Sequence, residues 1–349
     1  MPRKITLDDL SAQLKISKFS VSRALSGKPG VSAKTRDAVL RMARELGYSH
    51  SAIDPPAVER VVHFVIPRAD AVHSSFWIEV ISGAEAEARL LDFRLVIDVI
   101  GAVPAPDLMD GTATGLVLAG RRSRGVIEPF LELPLPKVLI GHPRPMEMID
   151  SVQTANFDAG YVAGSVLGEL GHRAIAFFTD APEDEGRNLR LAGLKEAMRQ
   201  FGGVVLPFKF DDETEAQSLA LTALNSPERP TAFSAATDLV AITLAWGLLE
   251  LGLRVPQHVS VIGSNDSQTA SQLGLRLTTV RQPMQQIGAA AIQMLRWRLD
   301  QAAPNARPRR MLLTPSFVER STHGPVQAEA LSSALDAINA ARKATAPAA

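Results

Sequence analysis

Apolar residues in the first fifty positions recur at spacings of three and four. Leu7, Leu10 and Leu14 share one helical face, Val21, Ala24 and Leu25 a second, and Val39, Ala43 and Leu46 a third. That periodicity predicts three short amphipathic helices. Polar and special residues mark their limits. Thr6 with Asp9 three positions on makes a capping-box pattern. A tight Lys-Ile-Ser turn leads to Ser17, which caps the second helix, and Gly27 and Pro29 end it. Ser32 caps the third helix and Gly47 stops it. Two helices joined by so short a turn, followed by a third, read as a helix-turn-helix unit.

From Val61 the pattern changes. Apolar runs of strand length ("VVHFVIP", "FRLVIDVI", "GLVLAG", "KVLIGH", "AIAFFTD", "TAFSAATD", "VSVIGSND") alternate with segments of helical spacing, such as Ile78, Ile81, Ala84 and Ala88. Nearly continuous apolar strands separated by helices mean parallel sheets covered on both faces. Roughly 260 residues exceed one comfortable core, so the expected fold is a helical head plus an α/β domain of two doubly wound parallel-sheet lobes. The expected divisions are the head at 1–48, a linker at 49–60, and a ligand-binding and dimerisation domain at 61–324. Within the last, one lobe takes about 61–170 with 284–316, and the other about 171–283 with 317–324. Residues 325–349 form a tail. There Leu331, Ala334, Leu335, Ile338 and Ala341 repeat at helical spacing, but over only two weak heptads. A frayed tail is therefore preferred to an oligomerisation helix.

Charge sharpens this division. The chain holds 37 basic and 37 acidic residues, yet residues 1–50 hold ten basic groups against four acidic. The head is thus six charges positive and the rest six negative, an asymmetry that points to nucleic-acid binding by the head. The absence of cysteine excludes disulfides and thiolate metal sites and fits a reducing compartment. The first residues lack a signal peptide's apolar stretch, and no apolar run is long enough for a membrane span, so a cytoplasmic protein is expected.

In a helix-turn-helix unit the first residues of the second helix reach base edges in the major groove. Lys18 suits guanine acceptors, Phe19 a thymine methyl and Ser20 several bases. For Phe19 a place in the trihelical core is the competing reading. Ser17, Ser22 and Arg23 suit phosphates, which fix register without reading sequence. Thr6, Lys28 and Ser32 complete the candidate DNA-contacting set.

Ligands of open α/β sheets bind beyond the carboxyl ends of the strands, so two lobes would enclose a cleft there. The residues at those ends include Phe76, Trp77, Asp158, Arg190, Thr237, Asn265 and Met284. An aromatic to stack on a ring, with Asp, Asn and Arg to take hydroxyls, suits a hydroxylated small molecule. Four have a structural alternative: helix core for Phe76 and Trp77, a helix cap for Asp158, surface charge for Arg190. The acidic run Glu183–Gly186 reads as a solvated loop, and His172 as a structural or capping residue.

The segment "TLDDLSAQLKISKFSVSRALSGKPGVSAKTRDAVLRMARELGY" resembles the DNA-binding head of the LacI/GalR family of bacterial regulators, through "VSRAL", "VSAKTRDAV" and "ELGY" in that order. The body resembles that family's effector domain, itself similar to periplasmic sugar-binding proteins, through "ANFDAGYVAGSVLGELGHRAIAFF", "RLAGLKEAM" and "LELGLRVPQHVSVIGSND". The resemblance implies a homodimer or tetramer on a palindromic double-stranded operator, and a carbohydrate-like effector touching Phe76, Asp158, Arg190, Thr237, Asn265 and Met284. It also implies a hinge helix that wedges a leucine into the minor groove. Here residues 49–60 contain no leucine and carry Pro55 and Pro56, which favours an extended linker over a turn beginning at Pro56. Thr237, Asn265, Ala155 and Met284 stand where the family often has Asn, Asp, Asp and an aromatic.

No catalytic constellation is visible. The seven histidines (His50, His63, His73, His142, His172, His258, His323) make no metal-ligand pair, and Walker A, G-x-S-x-G and strand-borne G-x-G-x-x-G patterns are absent. The expectation is a DNA-binding transcriptional regulator, a repressor by its resemblance, with no cofactor and no metal. A solute-binding protein and an α/β enzyme with a DNA-binding head are the rival readings.

Overall fold

A computed structural model describes residues 5–26, 28, 30–46, 48, 60–71, 75–101, 112–120, 124–210, 215–272, 276–300 and 306–345. The stops expected at Gly27, Pro29 and Gly47 and the linker residues Ile53 to Val58 lie outside them. The chain forms two compact units, Met1–Arg60 and Val61–Ala349.

The first unit holds α1 (Leu7–Leu14), α2 (Lys18–Leu25) and α3 (Ala33–Glu45). Leu10, Val21, Ala24, Leu25, Val39 and Ala43 are buried together, with Leu7, Leu14 and Leu46 packed around them. These are the positions that the helical spacing selects. The capping box is complete: Thr6 Oγ1 accepts from Asp9 N at 3.4 Å, and the Asp9 carboxylate accepts from Thr6 N at 2.8 Å. Lys15, with φ 54°, turns the chain into α2.

The second unit runs β1 (Arg60–Pro67), α4 (Arg68–Ala71), α5 (Ser75–Leu90), β2 (Phe93–Ile100), β3 (Ala113–Ala119), α6 (Arg124–Leu131), β4 (Lys137–Ile140) and β5 (Asp150–Thr154). It continues with α7 (Asn156–Glu169), β6 (Ala174–Thr179), α8 (Glu185–Gln200), β7 (Val204–Lys209), α9 (Ala216–Leu224), β8 (Ala232–Ala235), α10 (Asp238–Glu250), β9 (Ser260–Asn265), α11 (Thr269–Gln272) and β10 (Thr278–Arg281). It ends with α12 (Met284–Asp300), β11 (Arg310–Leu313), β12 (Ser316–Val318) and α13 (Ala328–Thr345). Two sheets result, ordered β11-β5-β4-β3-β1-β2 and β12-β10-β9-β8-β6-β7. The second has one antiparallel edge, β12 on β10.

Both faces of each sheet are covered, which is why the strands read as unbroken apolar runs. Along β1, Val62, Phe64 and Ile66 enter the core made with α5 and α12, while Val65 joins Ile127 and Phe130 of α6 on the other face. Along β6, Ile175 and Phe177 meet α7 and α8, while Ala176 and Phe178 meet α9 and α10. The α7/α8 contact is backbone against backbone. A Cβ on Gly160 would lie 2.6 Å from the carbonyl carbon of Arg190, and one on Gly193 would lie 2.8 Å from that of Phe157. Gly83 and Gly288 bring α5 and α12 together in the same way.

The structure differs from the expected pattern in two places. Helix α7, expected with the first lobe, packs Ala159, Ala163 and Leu167 onto the second sheet, because its alternation of small and large residues fits the close approach of α8. The tail is not frayed through residue 345. Leu331 and Leu335 of α13 are buried in the second lobe's core, with Ala334 and Ile338 against it. The apolar stripe is thus used within the chain.

Candidate functional site

In the head, the caps account for several predicted residues. Thr6 is held in the α1 capping box. Ser17 Oγ accepts from Ser20 N at 3.1 Å, and the two hydroxyls lie 2.9 Å apart. Ser32 Oγ accepts from Thr35 N at 3.1 Å. Each such hydroxyl stands at a helix N-terminus, where backbone N–H groups favour an anion.

The rest of α2 turns outward. Phe19 is 66% exposed, which excludes the core reading. An aromatic left in water gains by burial elsewhere. The Arg23 guanidinium lies 5.1 Å from the Phe19 ring centroid, so one cation and one apolar face are held side by side. Ser20 and Ser22 are half-buried and Lys28 is exposed. The Lys28 carbonyl accepts from Arg36 Nη2 at 2.9 Å. Lys18 Nζ pairs with Asp8 at 2.9 Å, a contact between α1 and α2 that spacing along the chain does not reveal. Both groups are well exposed, so the pair is worth little and exchanges readily for another anion.

In the body, a cavity of about 760 Å³ opens between the lobes at the carboxyl ends of the strands. Phe76, Trp77, Ile140, His142, Gln153 and Ile287 line it from the first lobe, and Asn156, Glu183, Asp184, Glu185, Gly186 and Arg190 from the second, with Gln282 between them. Phe76 is half-buried and meets Trp77 edge-on at 5.0 Å. Trp77 is 3% exposed, so most of it belongs to the core.

Arg190 is 5% exposed. Its Nη1 donates to the Ala236 carbonyl and to Ser264 Oγ at 2.9 Å, and its Nε donates to the Gly186 carbonyl at 3.4 Å. Gln282 Nε2 donates to the same Ser264 Oγ at 3.1 Å. Arg190 is therefore a fixed wall group and not a surface charge. Asn156 Nδ2 donates to the Thr154 carbonyl at 3.2 Å, leaving Oδ1 as an acceptor. Gln153 Oε1 is buried and accepts no hydrogen bond among the described residues. The wall thus offers acceptors to hydroxyl donors beside an aromatic edge.

Other predicted residues fall elsewhere. Asp158 is exposed in the first turn of α7 and does not line the cavity. Nor does it cap that helix: the N-cap position is Ala155, with no side-chain cap. Thr237 caps α10, its Oγ1 accepting from Val240 N at 3.3 Å. Asn265 and Met284 line a neighbouring cavity of about 600 Å³, which shares Gln282 with the first. Met284 is 2% exposed and packs in the first lobe's core. Asp238, beside Thr237, is buried. Its carboxylate accepts from Ser267 N at 2.6 Å and from Thr279 Oγ1. Burial raises its pKa above the ordinary carboxylate value, and those hydrogen bonds oppose the shift.

The acidic run is not a solvated loop. Asp184 is 5% exposed and caps α8, with Oδ1 accepting from Arg187 N at 2.9 Å. Gly186 sits where the lobes approach. A Cβ there would lie 3.1–3.2 Å from Asn156 Nδ2, Asp184 Oδ1 and His142 Cε1. His142 stands two residues beyond β4, so the strand-end rule that selected Phe76 also reaches it. Gln153 lay inside a strand pattern and carried no such signal. His172 is structural: Nδ1 lies 2.7 Å from Thr231 Oγ1 and Nε2 lies 3.0 Å from the Gly324 carbonyl.

Among the described residues no group of three His, Asp or Glu can hold a metal ion, and no helix is long and apolar enough to cross a membrane.

Residues 6–51 match the family described as bacterial regulatory proteins, lacI family, and residues 166–323 match the periplasmic binding protein-like domain. The chain is 27% identical over 328 residues to the ribose operon repressor of Haemophilus influenzae, covering 91% of this chain and 98% of that protein. It is 27% identical over 331 residues to the transcriptional repressor PurR of Escherichia coli O139:H28, covering 90% and 96%. Among solved structures, a complex of the transcriptional regulator CelR with cellobiose aligns with a TM-score of 0.66 at 25% identity, over 91% of this chain and 100% of that one. The lac repressor dimer bound to operator and the anti-inducer ONPF aligns with a TM-score of 0.65 at 21% identity, over 92% and 100%. Head, two-lobed body and near full-length relatives agree, and the chain belongs to the lacI family of bacterial regulatory proteins.

Proposed function

We propose that the protein is a transcriptional repressor that binds a palindromic operator as a homodimer and is controlled by a hydroxylated small molecule, of carbohydrate type, in the interlobe cavity. The observation that carries this reading is the exposed Lys18–Arg23 face of α2, with Phe19 in water beside Arg23. Lys18, Phe19 and Ser20 read bases; Ser17, Ser22 and Arg23 hold phosphates, flanked by Thr6, Lys28 and Ser32. The effector is held by Phe76, Arg190, Asn156, Gln153 and Gln282. We assign Asn265 and Met284 to the adjoining wall, Trp77 to the support of Phe76, and Thr237 to the cap of α10.

The proposed units are the head, a linker, two lobes divided near Ala155, and a C-terminal helix docked on the second lobe. Exposed apolar residues on α5 (Ile78, Leu90) and α10 (Leu239, Trp246) supply area for self-association. Two symmetry-related heads then read two half-sites. A protein acting on operators works in the cytoplasm, and the reading assigns it no catalysis.

A gel-shift titration against the DNA upstream of its own coding sequence tests the function. Affinity there equal to that for random duplex refutes it. Arg190→Ala tests the site: operator binding persists, and release or capture by a bound sugar is lost.

A further inference from the structure

We propose that Arg307 and Arg309, on the edge of the first lobe where the chain enters the body, make a second contact to DNA phosphates that is independent of sequence. The proposal rests on the DNA-binding reading and adds to it a surface outside the head.

Strands β1, β3, β4, β5 and β11 are mutually parallel, so their first residues share one edge of the sheet. Arg60 opens β1 there, and residues 306–309 lead into β11 there. That short coil is held in place by side chains that have no other evident task. Asp150, 2% exposed, takes Arg298 through two bonds of 2.6 and 2.8 Å and also accepts from Arg309 N at 2.6 Å. Arg298 in turn donates to the carbonyls of Ala306 at 2.8 Å and Arg307 at 3.4 Å. The Arg309 guanidinium lies 3.4 Å from the centroid of the Trp297 ring.

A buried ion pair is costly unless every bond is made; here its remaining bonds fix the backbone that presents two guanidinium groups. Arg307 and Arg309 are both exposed, and neither pairs with a carboxylate among the described residues. The ordinary use of arginine at a helix C-terminus is already met by Arg298 in the last turn of α12. Arg307 and Arg309 lie beyond that helix. In a body carrying five net negative charges from Val61 onward, a fixed basic pair with no carboxylate partner among the described residues calls for a polyanion. The chain itself tethers one here: the residues between Tyr48 and Arg60 have a contour of at most about 40 Å, and the head they carry is the DNA-reading unit. Guanidinium on phosphate reports no base, which makes the contact sequence-independent.

The test is the salt dependence of binding of the full-length protein to a mixed-sequence duplex, followed by fluorescence anisotropy. Each lost phosphate contact lowers the slope of log affinity against log salt by about 0.9. R307Q/R309Q is expected to lower it by about 1.8 per protomer. R254Q, which removes an exposed charge from the second lobe, leaves it unchanged, and R307K/R309K retains it. An unchanged slope in R307Q/R309Q, or an equal fall in R254Q, overturns the proposal; an acidic protein as the partner of this edge gives the first of these. Should the double variant not fold, R307Q alone serves, because the Arg307 side chain makes no hydrogen bond or ion pair among the described residues. Its expected fall is about 0.9, and no fall overturns the proposal. R23A distinguishes the two readings. If R23A lowers the slope and R307Q/R309Q does not, only the edge contact fails; if wild-type protein shows no salt-dependent binding at all, the DNA-binding reading fails and this one with it.

Discussion

Replacing Gly160 by alanine is the most demanding test of how the second lobe holds its ligand wall. The new Cβ would lie 2.6 Å from the carbonyl carbon of Arg190 and 2.9 Å from its Cα. Carbon atoms pack at about 3.5 Å or more, so α7 and α8 must part by roughly 1 Å at this crossing. The obstacle cannot turn aside, since the new methyl meets main-chain atoms of Arg190. Overpacking of this kind costs about 1–3 kcal/mol. The displacement falls on the residue whose guanidinium reaches Ser264 Oγ at 2.9 Å. Moving that donor by 1 Å breaks the bond, and a bond from a charged donor contributes about 1.5–3 kcal/mol. The expected loss is therefore about 2.5–6 kcal/mol, read as a shift of the guanidinium unfolding midpoint of the full-length protein. Sugar affinity falls with it, because Arg190 moves. Gly125→Ala is the control: nothing lies within 4 Å of a Cβ there, and alanine in α6 is neutral or stabilises by up to about 1 kcal/mol. A Gly160→Ala protein within 0.5 kcal/mol of wild type (roughly the effect of an ordinary surface change) would refute the argument from close approach.

Three further outcomes are expected. Asp8→Asn frees Lys18 from its ion pair; duplex affinity rises up to about fivefold, the scale of an exposed pair, and a fall in affinity measured by anisotropy contradicts this. His172 has its pKa lowered from 6.5, chiefly by burial; the unfolded chain then binds the extra proton first, so stability is full above about pH 6.5 and is lost as pH falls below it. Melting temperatures of wild type and His172→Gln recorded across that range should converge on acidification, and parallel curves count against it. Leu335→Ala removes a side chain 4% exposed in the second lobe's core, costing about 2–5 kcal/mol by chemical denaturation; no loss would mean that α13 is not docked in solution.

Much of this was legible before any coordinates. The helical spacing named every buried side chain of the head's core, because a helix of eight residues has one face and few ways to use it. The unbroken strands announced sheets covered on both sides. What escaped the reading depended on partners distant in sequence. Asp184 looks like one of three solvated acids until α8 is seen to begin on it. Asp158 occupies the right turn of α7 but points away from the cavity wall, since the buried face of that helix is set by glycines pressed against α8. Gln153 is an interior strand residue whose orphan oxygen becomes visible only when β11 is placed beside β5. The weak stripe of α13 predicted a helix poorly, because its stability comes from the apolar surface of the second lobe.

The paired edge strands bear on how such a molecule is inherited and cut. β11 lies at the margin of one sheet and β12 at the margin of the other, with only Thr314 and Pro315 between them. Further passages occur between β5 and α7 and between β10 and α12. Three strands of chain therefore join the lobes, and neither lobe is a continuous stretch of gene. A recombination event cannot exchange one lobe alone, and a single protease nick in any passage leaves the halves bound by the other two.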